Sequence, residues 1–347
     1  MAMRKPLGGS YGAGAWGVSV WVKMAIAFAL GMLLASSRVM GGGKTVSRKI
    51  ISETSQRNVA EPREKTEPVS GVENQATTEG VVVAPEQSIG VAGTGPQPEF
   101  GTVDFSKKDC SKFPSQHGED RFLYNAFWSL PKPMTNGVFL ELGALDGVWM
   151  SNTWWYEQCL GWNGVLIEGQ PTAIEKLTKN RPNASVLGEA VCAEEGTIDF
   201  VGSDNGVAGD VSQMPDSFVQ QFHRGWENGK DEVHKVKCGP LNKKLEKLGV
   251  KHIDFWTLDV EGAEWSVLNT FDWEAVSIHV LVIENDKDEA VEKPRRHKLL
   301  KSKDFELRGT LVNNELWVNP KNARSGMEER VVMWEGSAYM NNGIEKT

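Results

Sequence analysis

Cysteine is scarce in this chain of 347 residues, which has four, and no two of them stand in a Cys-x-x-Cys spacing. That spacing is the usual signature of a structural zinc site or a redox pair, so the sequence predicts neither. Four cysteines in a chain of this length do not predict a disulfide framework either, and we expect small buried side chains. In an oxidising compartment one pair could be bridged, but the sequence does not indicate which.

Acidic residues are missing from residues 1–52, a stretch that contains seven Lys and Arg. Its central part, residues 16–37, is mostly apolar and about long enough to span a bilayer. We expect a single-pass membrane anchor there, preceded by a basic segment over residues 1–15, in a protein of the endoplasmic reticulum or Golgi. Lys23 interrupts the apolar run, and a cleaved signal peptide or an organellar (mitochondrial or plastid) targeting peptide is the alternative.

Aromatic residues are almost absent from residues 41–100, where Phe100 is the only one. The stretch is rich in Gly, Glu, Gln, Ser, Thr, Pro and Val, and such a composition cannot bury enough apolar surface to offset the entropy lost on ordering. We therefore predict a disordered stem over residues 38–102. A folded domain is expected over residues 103–320, followed by a C-terminal tail over residues 321–347.

Positive charge is not in excess, since the formal net charge is −8. A general nucleic-acid binder needs a basic surface, so we expect no nucleic-acid partner. No internal repeat is apparent in the sequence, which argues against solenoid and propeller folds. The sequence does not predict an oligomeric state.

The stretch 137–171 organises the expected domain. A short apolar run over 138–140 suits a buried parallel strand, and it leads into the glycine turn Glu141-Leu-Gly143-Ala-Leu-Asp146-Gly147. A second apolar run, 164–167, ends in Glu168. Strand, glycine turn, helix, strand and acid form the plan of a mononucleotide-binding βαβ unit, in which the final acid binds ribose hydroxyls.

The dinucleotide pattern G-x-G-x-x-G is absent from this turn, which reads E-x-G-x-x-x-G. Glu141 and Asp146 would repel a pyrophosphate and attract a cationic ligand. S-adenosylmethionine fits that profile, because it has a sulfonium, an ammonium and a ribose but no phosphate. A nicotinamide-dependent oxidoreductase remains an alternative, disfavoured by the missing glycine.

Two carboxylates, Asp259 and Glu261, follow another predicted strand over 253–258. Residues two apart in a strand share a face, and the carboxyl ends of parallel strands are where open α/β sheets bind ligands. We expect Asp259 or Glu261 to orient or deprotonate an acceptor hydroxyl. The next strand, 276–283, ends in a third acid, Glu284. These acids could hold a divalent cation, but none is expected and no metal ligand is predicted, because no His joins them.

Three motifs in order resemble the FkbM-type methyltransferase family, in its eukaryotic branch with an ELGALDG…SNT…LIE pattern. They are Ser115-Gln-His-Gly-Glu-Asp120, the stretch from Phe139 to Pro171, and Leu258-Asp-Val-Glu-Gly-Ala-Glu264, and together they span roughly residues 115–318. The resemblance implies a Rossmann-like α/β fold of the class I methyltransferase type. Its sheet would have seven mostly parallel strands with helices on both faces, closed by an antiparallel pair over 305–312 and 315–318.

The resemblance also implies S-adenosyl-L-methionine as cofactor. Gly143 and Gly147 would admit it, Gln116 or Asp120 would bind its methionine end, and residues near Val191 would flank its adenine. For the first motif a simple helix-capping box is the alternative. The full set of expected cofactor-binding residues is Gln116, Asp120, Glu141, Gly143, Asp146, Gly147, Asn152, Glu168 and Val191.

The expected function is therefore methylation of a hydroxyl on a sugar, a lipid or a small metabolite. An irregular loop over 202–239 is predicted to select the acceptor, since long loops within a compact domain are often functional. A different class of function, a non-catalytic binding or trafficking module at a membrane, is the alternative, because a fold does not prove catalysis.

Overall fold

The computed structural model describes residues 81–82, 99–107, 109–203, 206–285 and 292–329. The predicted basic segment 1–15 and membrane anchor 16–37 lie outside the described residues, as do most of the stem and the end of the tail. In the part of the chain that is described, no helix is long and apolar enough to cross a membrane.

Fourteen strands and seven α-helices make up the described chain. The strands are β1 Val81–Val82, β2 Glu99–Phe100, β3 Met134–Thr135, β4 Val138–Leu142, β5 Asn163–Ile167, β6 Ser185–Leu187, β7 Ala190–Val191, β8 Gly196–Val201, β9 Gly209–Asp210, β10 Val233–Gly239, β11 His252–Leu258, β12 Ser277–Glu284, β13 Glu306–Leu311 and β14 Asn314–Val318. The helices are α1 Glu119–Leu123, α2 Trp154–Leu160, α3 Pro171–Asn180, α4 Asp216–Phe222, α5 Leu241–Lys247, α6 Glu264–Thr270 and α7 Glu292–Ser302.

The main sheet has the order β1-β6-β5-β4-β11-β12-β14-β13. Strands β6, β5, β4, β11 and β12 are parallel neighbours, and β14 runs antiparallel between β12 and β13. Seven of these strands follow the order 3-2-1-4-5-7-6 when numbered along the chain from β4. The predicted mostly parallel sheet with a closing antiparallel pair is thus confirmed, and β1 adds an eighth, antiparallel strand at the β6 edge.

Side-chain alternation along the strands builds a core on each face of the sheet. Phe139 packs into a cluster with residues of α1, α2 and α3, whereas its neighbours Val138 and Leu140 pack into a second cluster with residues of α5, α6 and α7. All five residues of β4 are buried, which explains the apolar run over 138–140. Helices therefore cover both faces, as predicted.

Residues 202–239 are not the irregular loop that the sequence predicts, because they contain strands β9 and β10 and helix α4. Strands β7, β10, β8 and β9 form a separate four-stranded sheet, and α4 follows β9. Strand β10 escapes prediction because its sequence, VHKVKCG, places charged side chains on its exposed positions. Its pairing partner is 32 residues away or more, as in the register Val233↔Val201, and one exposed pair across the ladder joins Lys235 to Asp199 at 2.5 Å.

The four cysteines form two disulfides, so the prediction of small unpaired side chains is wrong. Cys110 is bonded to Cys159, and Cys192 is bonded to Cys238. The partners are 49 and 46 residues apart in sequence. At such separations only the tertiary fold brings two thiols together, and no local spacing reveals the pairs. The first disulfide ties the segment before α1 to α2, and the second ties the end of β7 to β10.

A buried ion pair joins the start of β11 to the C-terminal end of the described chain. Both carboxylate oxygens of Asp254 accept from Arg324, at 2.6 and 2.7 Å, and one also contacts His252 at 3.0 Å. The backbone N–H of Val138 donates to the other oxygen at 2.8 Å. Burial alone would raise the pKa of Asp254, but the hydrogen bonds and charges of His252 and Arg324 hold it well below its ordinary value.

We predict that Asp254→Asn lowers the free energy of unfolding by about 3–5 kcal/mol at pH 7, because it leaves the buried Arg324 guanidinium without its counter-charge. The folded-state pKa of Asp254 lies below its ordinary 3.8, so its contribution is complete above about pH 4 and is lost only as the pH falls through the folded value. Urea unfolding at several pH values measures the difference.

The matched control is Asp304→Asn, which removes an exposed pair with Lys321 at 2.8 Å. Exposed pairs contribute about 0–1 kcal/mol, so this variant should unfold like the parent. Equal losses in the two variants at pH 7 would contradict the assignment of the Asp254 cluster as a fold-stabilising clamp.

We also predict that the purified chain, digested without reductant, yields two cross-linked peptide pairs by mass spectrometry, Cys110 with Cys159 and Cys192 with Cys238. Substituting Ser at both positions of either pair should cost about 2–5 kcal/mol of stability, the usual effect of removing a native disulfide. Recovery of alkylated free thiols from the folded, unreduced chain would contradict the pairing.

Candidate active site

Two recesses adjoin at the carboxyl ends of β4, β5 and β11, where the strand order of the main sheet reverses. Open α/β sheets bind their ligands at this switch point. The first recess has a volume of about 520 Å³ and the second about 770 Å³, each including space open to solvent. Five residues line both recesses, so one ligand could extend across them: Leu142, Gly143, Glu168, Ala208 and Asp259.

Gly143 ends β4 with a left-handed turn, at φ +83°. A Cβ atom at this position would lie 1.9 Å from the backbone oxygen of Asp259, which follows β11. The backbone N–H groups of Gly143 and Ala144 donate to the carbonyl of Ile167 at the end of β5, at 3.0 and 3.2 Å. Only glycine therefore allows the ends of these three strands to meet at the recess.

Glu168 follows β5 and lines both recesses. One carboxylate oxygen accepts from the N–H of Leu145 and the other from the N–H of Gln170, both at 2.7 Å. Burial raises the pKa of Glu168, and the backbone N–H groups partly oppose that rise. The carboxylate is thus held at the recess by the glycine turn, with further lone pairs available for a ligand.

Glu141, a buried acid near the end of β4, lines the second recess and also holds the segment before α2. Its carboxylate accepts from the hydroxyls of Ser151 and Thr153, at 2.9 and 2.5 Å, and from the N–H of Asn152 at 2.9 Å. The fully buried Arg181 lies 3.7 Å from the same carboxylate. Glu141 therefore shapes the wall of the recess, and its charge is opposed from within the protein.

The acids of the D-x-E-G motif come together, although not in the way the sequence predicts. Strand β11 ends at Leu258, so Asp259 and Glu261 belong to the following turn, where Glu261 is left-handed at φ +58°. Carboxylate oxygens of Asp259, Glu261 and Glu284 lie within 4.8 Å of one another. Left-handed backbone at a residue other than glycine is costly and is frequent at functional sites.

This turn is held by a fourth acid, Glu264, in the first turn of α6. One of its carboxylate oxygens accepts from the N–H groups of Val260 and Gly262, at 3.0 and 3.3 Å. Burial raises the pKa of Glu264, which the backbone hydrogen bonds partly counter. The sequence-stretch D-x-E-G-x-E therefore contains two acids at the recess and one that holds them in place.

Most of the predicted site residues line a recess, but three do not. Gln116, Asn152 and Glu261 line the second recess, and Val191 lines the first, beside apolar side chains of β8. Asp146 instead accepts from the N–H groups of Val148 and Trp149, which closes the glycine turn.

Gly147 and Asp120 are the other two residues outside both recesses. A Cβ atom on Gly147 would lie 2.6 Å from side-chain atoms of Leu177 and Arg181, so glycine is required there for packing against α3. Asp120 accepts from the hydroxyl of Ser115 at 2.6 Å, and burial raises its pKa to about 7. The motif does not form a standard capping box, since the N-cap of α1 is Gly118, but the Ser115 hydroxyl accepts from the N–H of Asp120 in the first turn at 3.3 Å.

Several lining residues were missed by sequence reasoning. Gln170 stands two residues after Glu168 and could have been found from that proximity. Phe200 and Asn314 reach the recesses only through the second sheet and the β13–β14 hairpin, and no local motif marks them. Trp149 lines the second recess, but the sequence does not distinguish it from the other aromatic residues nearby, which pack in the core.

The strand order and the recess at the switch point define an α/β domain of the methyltransferase type. Residues 141–307 match the family model described as the methyltransferase FkbM domain. The resemblance seen in the sequence is confirmed over residues 141–307, which match the model of this family of S-adenosylmethionine-dependent methyltransferases.

Solved structures similar to the chain are distant. A TehB-like SAM-dependent methyltransferase from Corynebacterium glutamicum is 9% identical, with a TM-score of 0.32, over 59% of this chain and 89% of that one. A precorrin-6y C5,15-methyltransferase from Geobacter metallireducens is 10% identical, with a TM-score of 0.32, over 63% and 92%. A chain of a fibrillarin/Nop5p complex is 14% identical, with a TM-score of 0.28, over 53% and 71%. No curated protein matches the chain significantly.

We predict that Gly143→Ala lowers the free energy of unfolding by about 2–5 kcal/mol, because left-handed strain adds to the clash with the Asp259 carbonyl. Gly161→Ala is the matched control, since Gly161 is also left-handed, at φ +66°, but has no atom within 4 Å of its Cβ position. It should lose only about 1–2 kcal/mol. Urea unfolding compares the two, and equal losses would show that the strand ends do not constrain Gly143.

Proposed function

We propose that the chain transfers a methyl group from S-adenosylmethionine to a hydroxyl group of a sugar, a lipid or a small metabolite. The matched family implies S-adenosylmethionine as the cofactor. The observation that carries the proposal is that the site consists of two different recesses. A largely apolar recess beside the buried Glu168 adjoins a polar recess that contains Asp259 and Glu261.

The residues present fit this cofactor. Val191, Ile198 and Phe200 in the first recess suit a flat adenine, and Glu168 between the recesses suits the ribose hydroxyls. The side-chain oxygen of Asn152 is buried in the second recess and accepts no hydrogen bond from the described residues, so it suits the ammonium group. The acids that would repel a pyrophosphate suit a sulfonium.

S-adenosylmethionine would supply an electrophilic methyl group on sulfur, so the protein has mainly to position an oxygen nucleophile and take up its proton. Asp259 lines both recesses and is placed to orient the acceptor where the two recesses meet. Glu261 lines the second recess alone. Asp259 or Glu261 takes up the proton of the acceptor hydroxyl.

The compartment forms part of the proposal. Two disulfides in the domain favour folding in an oxidising compartment, because cytosolic thiols are kept reduced. A single-pass anchor over residues 16–37 would then tether the domain on the luminal side of the endoplasmic reticulum or Golgi. The acceptor would be a luminal molecule.

We predict that the full chain binds S-adenosylmethionine and its demethylated product, and that Glu168→Ala weakens binding at least about 30-fold. The expected loss corresponds to about 2 kcal/mol, the contribution of hydrogen bonds to a charged acceptor. Burial raises the pKa of Glu168, so affinity should also fall as the pH is lowered towards that value and the carboxylate is protonated. Isothermal titration calorimetry measures both effects.

The control is Glu175→Ala, which removes an exposed carboxylate from α3 and should leave affinity unchanged. Because Glu168 also holds two backbone N–H groups, thermal unfolding must show that the variant is folded. Failure of a folded parent chain to bind either compound would overturn the enzymatic proposal and favour a binding module.

A further inference from the structure

The second recess presents charge of only one sign. Five of its lining residues are acidic, namely Glu119, Glu141, Glu168, Asp259 and Glu261, and no Lys, Arg or His is among the described residues that line it. An acceptor whose phosphate, sulfate or carboxylate has no cation of its own would be repelled by these carboxylates, even though Arg181 opposes the charge of Glu141. The carboxylate of S-adenosylmethionine differs in that an ammonium and a sulfonium accompany it.

The protein itself fixes three of these acids as hydrogen-bond acceptors that face the recess. Glu119 accepts from the N–H of His117 at 2.9 Å and from the amide of Asn314 at 3.1 Å. Glu141 and Glu168 are likewise held by backbone N–H groups. Their positions do not depend on a ligand, so the negative wall is a permanent property of the fold.

One neutral side chain of the recess, Gln170, also offers a hydrogen-bond acceptor. Gln170 is fully buried, and its side-chain N–H donates to the carbonyl of Gly202. Gln170 lines the second recess, and its side-chain oxygen accepts no hydrogen bond from the described residues. A buried acceptor without a donor is costly, so a ligand that brings several donors is favoured.

An aromatic surface completes the recess. Trp149 is half-buried in its lining, and a Cβ atom on Gly206 would lie 3.5 Å from the indole ring. Glycine at 206 therefore leaves space beside the ring that a side chain would fill. A flat aromatic face next to hydrogen-bond acceptors suits a molecule with an apolar C–H face and hydroxyl groups at its edge.

We propose that the acceptor is an uncharged carbohydrate, whose hydroxyls donate to the acidic and amide oxygens while one sugar face packs on Trp149. The inference rests on the proposed methyl transfer and narrows its acceptor. The acceptor hydroxyl loses its proton to Asp259 or Glu261 as its oxygen forms the bond to the methyl carbon, and the electron pair of the broken carbon–sulfur bond stays on sulfur.

The test incubates the full chain, after titration has shown cofactor binding, with S-adenosylmethionine labelled in its methyl group. The acceptor is a pool of neutral glycans released from glycoproteins and glycolipids. A matched pool is the same material with only its reducing-end aldehydes oxidised to carboxylates, which adds a negative charge and keeps the primary hydroxyls. Polyamines and sugar-free lipids are offered separately, and incorporated label is measured in each fraction.

We expect label in the neutral glycans and at least tenfold less in their oxidised counterparts. Label mainly in oxidised glycans, polyamines or lipids would overturn the carbohydrate inference while leaving methyl transfer intact, and so would no label in any fraction from a chain that binds the cofactor. A folded chain that does not bind the cofactor would instead remove the proposed function itself.

Two variants give a finer readout. Trp149→Ala should raise the KM for the neutral glycans about five- to tenfold, while the Kd for S-adenosylmethionine is unchanged. The control is Trp226→Ala, since Trp226 is also half-buried but lines neither recess. Equal KM values for the parent and Trp149→Ala would refute the role of the indole face.

Discussion

The approach of two backbones at the switch point is the constraint on which the site depends. Gly143 and Asp259 stand at the ends of neighbouring parallel strands, and the space that a Cβ atom would need is filled by the Asp259 carbonyl. The N–H of Asp259 donates to the carbonyl of Leu142 at 3.2 Å, so the ladder between β4 and β11 continues into the turns. The contact between Gly143 and Asp259 therefore positions both the glycine turn and the D-x-E-G turn. As a result, acids of both motifs lie at the edge of the same recess.

Burial of Arg181 explains how so many acids can be tolerated beside this contact. Its guanidinium contacts Glu157 at 2.6 Å and Glu141 at 3.7 Å, and it donates to the carbonyl of Gly147 at 3.0 Å. It also lies over the ring of Phe139. A buried charge must be paired, and this one binds the strand, the glycine turn and α2 together. Part of the acidity seen in the sequence thus stabilises the fold, and the remainder faces the recess.

The parts of the fold that could be predicted from sequence are those with strong local signals. Buried strands such as 164–167 and 276–283 read as short apolar runs, and a βαβ unit with a terminal acid led directly to Gly143 and Glu168. Prediction from local sequence was weaker where a residue type suits both ligand binding and a structural role. Asp146 and Gly147 look like ligand-binding residues in the motif. In the structure, Asp146 closes a turn, and Gly147 leaves room for the side chains of α3 to pack against it.

What could not be predicted depends on contacts far apart in sequence. In the second sheet, β10 carries Lys and His among its apolar residues and pairs with residues of β8 at least 32 positions away, and neither disulfide has a spacing that identifies it. The wall that carries Val191 comes from this sheet, where β7 pairs with β10 over only two residues. The bond between Cys192 and Cys238 lies directly beside that short ladder, with Cys192 next to Val191 and Cys238 paired with Ala190. A two-residue ladder is weak alone, so the covalent link reinforces the position of this wall of the first recess.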